Sequence, residues 1–241
     1  MDVFNIRRSR GKHALVLSVS GHENNTVSNL YNPDIDAAKL KATLLKLGGW
    51  TVQMVADRGL EQTKKKIKEF AALRARGDDD CLFAFVGHGI ELNDRNYLVA
   101  ADSKLDPTYS TEATFEQAVK RECLPFEDVQ VAFKNARESS AGATVFLLDC
   151  CRIGVSTSVG SGRVAGGFTS RAADSSVIRP QFPHTMVVYS TTSGNVASDG
   201  LPSDGGAFMG IFCEEVASGA AVAAVMQNTL RRLLEWGSHI C

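Results

Sequence analysis

Short apolar runs alternate along this chain with stretches whose apolar residues recur every three or four positions. The runs "HALVLSVSG" (13–21), "WTVQMVAD" (50–57), "CLFAFVGHG" (81–89), "ATVFLLDCC" (143–151) and "TMVVYSTT" (185–192) read as strands. The third is apolar on both faces, as a central parallel strand should be. "NYLVAAD" (96–102) reads as a short further strand. Helical spacing marks 32–49, with Asn32 as N-cap, Pro33 at the first helical position and Gly48–Gly49 as the stop. Its stripe is Ala37, Leu40, Leu44 and Leu47. A second helix runs from about Leu60 to Arg76 with Ile67, Phe70 and Ala71 inward. A third covers 125–138 with Phe126, Val129, Phe133 and Ala136 on one face, and two more cover 207–219 and 225–236. The polar stretch 103–123 reads as a loop.

Strands alternating with helices imply parallel pairing, right-handed crossovers and an α/β fold of three layers. Open sheets of this kind hold their ligands outside the carboxyl ends of the strands. Two strands end there in "GHG" and "DCCR", so imidazole, carboxylate and thiol gather at one rim. After Arg152 the texture changes. Residues 153–184 are rich in Gly, Ser and Arg without a sustained period, and read as an exposed connection between 12–152 and 185–236. No repeat divides the 241 residues, which read as a single domain.

Composition narrows the chemistry. A net charge of −1 gives no bulk attraction to nucleic acid or an anionic membrane. The densest basic run, "KKKIK" (64–68), falls on the outer face of a helix. No apolar run is long enough to span a bilayer, and the first twelve residues lack the apolar core of a secretory signal. Six cysteines without C-x-x-C spacing, two of them adjacent, suit reduced thiols in a cytoplasmic protein. The glycines of "GSGRVAGG" fit no phosphate-binding spacing, and no cofactor is implied.

A thiolate nucleophile needs an imidazole beside it and donors for the developing oxyanion. His88, between two glycines, stands where the backbone can turn sharply and a substrate can approach. Strand parity puts Asp149 and Cys151 on one face and Cys150 on the other, so Cys150 packs inward and Cys151 faces solvent.

"FAFVGHG" followed, 63 residues after the histidine, by "VFLLDCCR" resembles the caspase-like cysteine peptidases: caspases, metacaspases and paracaspases. The resemblance spans about residues 12–235, is strongest to the paracaspase form, and implies a caspase-like α/β sandwich with a mostly parallel central sheet and helices on both faces. It implies Cys151 as nucleophile, His88 as its partner and the amides of Gly89 and Cys151 as oxyanion hole. Caspases usually carry a neutral residue where this chain has Asp149. By resemblance Asp36 and Asp199 join Asp149 in a P1 pocket for Arg, and secondarily Lys, because a guanidinium fork engages several carboxylates.

The implied activity is endopeptidase cleavage of protein or peptide substrates after a basic residue. Arg163, Arg171 and Arg179 lie in the inter-segment connection as sites of self-cleavage. Metacaspases often require calcium bound by an acidic cluster after the histidine. Asp94, Asp102 and Asp106 follow it here without a dense acidic run, so no metal site is indicated. "GDDD" (77–80) reads as a helix end at a sheet edge. The alternatives are a calcium-activated metacaspase-type protease, an Asp-specific caspase disfavoured by the three acids, and a catalytically silent interaction module of the same fold. A homodimer is compatible with each.

Overall fold

The computed structural model describes residues 11–23, 26–105, 111–137, 142–151, 153–154, 183–190, 205–220 and 222–238. Asp106, Arg152, Arg163, Arg171, Arg179 and Asp199 lie outside them. The core is a five-stranded sheet in the order β2-β1-β3-β7-β9. These strands are β1 (Lys12–Ser18), β2 (Trp50–Ala56), β3 (Asp80–Gly87), β7 (Thr144–Cys150) and β9 (Thr185–Tyr189). Every neighbouring pair is parallel. The three-layer α/β sandwich read from the sequence is the observed fold.

Strand parity distributes the side chains. Leu15, Leu17, Phe83, Phe85, Phe146 and Leu148 point to one face, against Ile67, Phe70 and Ala71 of α2 (Leu60–Arg74) and Phe126, Val129 and Phe133 of α4 (Phe126–Arg137). Ala14, Val16, Leu82, Ala84 and Leu147 point to the other. There they meet Ala37, Leu40 and Leu44 of α1 (Pro33–Leu47) and Phe208, Met209 and Phe212 of α5 (Ala207–Ala217). Val225 of α6 (Val222–Ser238) closes that layer. The chain runs from β1 outward to β2 and then returns to β3 on the other side of β1. The crevice this reversal opens lies at the carboxyl ends of β1 and β3.

Four expectations are corrected. Residues 103–123 are not a continuous loop: α3 (Glu112–Glu122) starts on a reciprocal Thr111–Thr114 capping box and buries only Ala118 and Val119, so its apolar stripe is too thin to register as periodic. The run 81–89 breaks at His88. Beyond it β4 (Gly89–Leu92) pairs with β5 (Arg95–Val99) through a two-residue turn, Asn93 and Asp94 at φ 51° and 60°. The connection after Arg152 begins with a strand, β8 (Ile153–Gly154), which joins β4 in parallel and extends a small second sheet, β6-β5-β4-β8, with β6 spanning Cys123–Pro125. Leu47 is 42% exposed, because the last turn of α1 projects past the core before Gly48 and Gly49, at φ 76° and 75°, reverse the chain.

At the amino end of the sheet the "GDDD" acids join strands. Asp79 accepts from the Gly11 amide at 2.7 Å and lies 3.3 Å from His13 Nε2, while Asp80 accepts from the Ala143 amide at 2.9 Å. The carboxyl end is left for chemistry.

Candidate active site

β3 and β7 are paired so that Val86 lies beside Asp149 and Gly87 beside Cys150. One step further along each strand stand His88 and Cys151. The two segments approach closely there: a Cβ on Gly89 would lie 2.6 Å from the Cys151 carbonyl oxygen and 2.7 Å from Cys150 Sγ. Only a glycine lets the backbone come that near.

His88 is fixed through its ring. Nε2 lies 2.8 Å from the Ser28 carbonyl oxygen. A carbonyl only accepts, so Nε2 carries the proton and Nδ1 is the acceptor nitrogen of the neutral ring. Ser28 lies on the loop that leaves β1, where Leu30 N donates to the Ser20 carbonyl at 2.9 Å. Asp57, at φ 43° after β2, receives the Ser20 and Gly21 amides at 2.7 and 3.0 Å. His22 on the same loop packs its ring 5.5 Å from that of His88, tilted by 41°. Burial and the neighbouring His88 lower the His22 pKa, while the Ala100 backbone and Asp57 pull it upward more weakly.

The cysteines separate by position. Cys150 is 3% exposed and packs with Phe146 and Leu148, whereas Cys151 is half-buried at the rim. Burial raises the thiols of Cys81 and Cys213 to about 11 and that of Cys123 to about 12, so none of these three supplies thiolate at neutral pH.

Asp149 projects from β7 to the α1 and α5 side, and Asp36 sits in the first turn of α1 on that same side. Both carboxylates raise the Cys213 pKa, and Lys39 lowers it, so the three charges share one region around that thiol. Asp36 is 2% exposed and accepts from the Gly206 amide with both oxygens, at 3.0 and 2.8 Å, which ties α1 to the start of α5. A Cβ on Gly205 would lie 2.6 Å from Asp36 Oδ1 and 2.9 Å from Lys39 Nζ. An ammonium therefore already stands near this carboxylate. The fold brings Asp36 and Asp149 to one region around Cys213, and Asp199 lies outside the described residues.

Of the three named acids after the histidine, the two described ones serve separate elements. Asp94 is in the β4–β5 turn, while Asp102 accepts from the Leu60 amide at 2.8 Å and caps α2. Among the described residues no cluster of three or more metal-ligating side chains occurs. Among them, too, no helix is long and apolar enough to cross a membrane.

The fold matches known proteins at the level of the domain. A family model for the caspase domain covers residues 11–236. The chain belongs to the caspase-domain family. The family is one of cysteine peptidases, in keeping with a thiol and an imidazole at adjacent strand ends. The crystal structure of caspase-1 from Spodoptera frugiperda is similar to this caspase domain with a TM-score of 0.65. Identity is 17%, and the match covers 94% of this chain and 77% of that one. No curated protein sequence matches.

Ser28 and His22 were not singled out in the sequence. Ser28 acts through its main-chain oxygen, which leaves no residue-type signal. His22 follows a glycine in a polar loop, and only the fold brings it against His88.

Proposed function

We propose that this caspase domain is a cysteine endopeptidase that cleaves after arginine, and less efficiently after lysine, with Cys151 as nucleophile and His88 as its acid–base partner. The observation that carries the reading is the pairing of β3 with β7, whose next residues are His88 and Cys151, closed by the side-chain-free backbone of Gly89. His88 Nδ1 takes the thiol proton and the Cys151 thiolate attacks the scissile carbonyl. The Gly89 and Cys151 amides stabilise the oxyanion, His88 returns the proton to the leaving amine, and water releases the acyl-enzyme. Asp36, Asp149 and Asp199 receive the basic P1 side chain. A guanidinium suits the pocket better than an ammonium, because Asp36 also serves the Gly206 amide and stands near Lys39, so a planar fork that reaches Asp149 at the same time gains more.

A cytoplasmic setting and action on protein substrates belong to the same reading, as do self-cleavage at Arg163, Arg171 and Arg179 and pairing into a homodimer. The deciding experiment is hydrolysis of matched fluorogenic peptides with Arg, Lys or Asp at P1, with and without calcium, beside Cys151→Ala. Cleavage of the Arg peptide that disappears in Cys151→Ala and ignores calcium supports the nucleophile and the acidic pocket together. A calcium requirement supports a metacaspase-type enzyme instead, Asp cleavage overturns the acidic pocket, and no turnover points to the silent module.

A further inference from the structure

We propose that His22 is a positioning residue for His88, packing its imidazole on the His88 ring and coupling the charge states of the two. The inference rests on the assignment of His88 as the acid–base partner. It starts from geometry: the ring centroids are 5.5 Å apart at a tilt of 41°. The loop carrying His22 is itself constrained, with His22 N donating to Asn29 Oδ1 at 2.8 Å and Glu23 N to the Ala101 carbonyl at 2.8 Å. The same loop supplies the Ser28 carbonyl that receives His88 Nε2. His88 is thus held by one loop at two points, a hydrogen bond at Nε2 and a ring against its face.

The consequence is electrical as well as steric. During turnover His88 alternates between neutral and protonated forms, and a charged neighbour would oppose the second. Burial, and His88 itself, lower the His22 pKa and so favour its neutral ring. The groups that face it are His88 from the corner after β3, Asp57 from the end of β2 and the backbone of Ala100 after β5. Asp57, which also receives two main-chain amides, exerts the weakest of the named influences on His22. A neutral ring can support the His88 imidazolium without competing with it; a protonated one cannot.

The test is an NMR titration of the histidine C–H signals in the full chain, for wild type, His22→Phe and His88→Phe, with peptide hydrolysis measured beside it. His88→Phe removes the charge that opposes His22 and should raise the His22 midpoint by roughly 0.5 to 2 pH units, the Coulomb effect of a unit charge at this separation in a medium between protein surface and water. His22→Phe, which removes a ring that is neutral when His88 titrates, should leave the His88 midpoint within about 0.3 pH units. In hydrolysis, His22→Ala should lower kcat about tenfold with KM little changed, because a loosened imidazole is misplaced. His22→Phe, which restores a flat ring, should recover most of that loss. An unmoved His22 midpoint in His88→Phe overturns the inference, as does a His22→Ala enzyme with wild-type kcat. The titration needs no turnover: a moved His22 midpoint in a protein that cleaves nothing would leave the coupling standing and remove the peptidase reading instead.

Discussion

Cys150 and Cys151 are identical as residue types and adjacent in sequence, yet they stand in opposite environments. Cys150 shares the parity of Phe146 and Leu148 and is 3% exposed, while Cys151 ends the strand and is half-buried at the rim. This was legible before any coordinates, because period-two alternation needs only the strand and its end. Brief iodoacetamide treatment at pH 7.5 followed by peptide mapping should modify Cys151 at least about tenfold faster than Cys81, Cys123, Cys150 or Cys213, whose burial withholds the thiolate. Comparable labelling of Cys150 would refute the parity argument. In hydrolysis, Cys151→Ala should lose roughly 10³-fold or more in kcat/KM, as expected for removal of a nucleophile. Cys150→Ala should stay within about twofold and appear instead as a small loss of stability, since it removes one buried sulfur from a packed core. What the sequence hid at this scale was the support: the Ser28 carbonyl has no residue signature, and the Asp57 carboxylate meets the Ser20 and Gly21 amides only after folding.

At the scale of elements, β3 and β7 bring the rim together and the approach between Gly89 and Cys151 decides whether it closes. Gly89→Ala places a methyl 2.6 Å from a backbone oxygen, so the two segments must separate. Its kcat/KM should fall at least about tenfold through misplacement alone. Gly210→Ala in α5 is the matched control. Its Cβ meets nothing nearer than Lys39 Nζ at 3.7 Å, so activity should be kept and stability should rise by up to about 1 kcal/mol from helix propensity. Equal activity in the two variants would show that the Gly89 approach has no bearing on catalysis. The aromatic cluster under β3 and β7 is a second element-scale determinant. Phe133 is 0% exposed and meets Phe70, Phe83 and Phe146 at ring separations of 5.9, 6.1 and 5.2 Å. Phe133→Ala should cost about 3–5 kcal/mol in urea unfolding, and a cost below about 1 kcal/mol would mean this core collapses around the cavity. The central strands and the helices of the main sheet could be read because each buries a continuous face, and edge strand β2 because its apolar residues alternate. α3 escaped because it buries only Ala118 and Val119, and β4 because it is four residues long. Yet the Asn93–Asp94 pair was a usable hairpin signal, both residues tolerating the positive φ that such a turn demands.

For the whole molecule, alternating strands and helices specified the layers, and the ends of two strands specified the rim. The order of strands was not legible, since nothing local says that β2 takes the edge and β3 returns beside β1. That return sets the β1 loop against His88, which gives His22 a consequence for folding stability. Its pKa is lowered in the folded state by burial and by His88. At pH values well above the ordinary histidine pKa of 6.5, both folded and unfolded chains hold His22 neutral and it contributes nothing. As the pH falls through 6.5 the unfolded chain binds the proton first, so the unfolded state gains and stability declines. The decline ends once the pH passes below the lowered folded value, where both states are protonated. The urea midpoint of wild type should therefore drop between pH 7.5 and 5.5 by more than that of His22→Phe, which lacks the proton site but keeps a ring in the same place. Carboxylates titrate identically in the two proteins and cancel in the comparison. Equal drops would mean that His22 is solvated in the folded chain as in the unfolded one, and a larger drop in the variant would reverse the sign of the coupling.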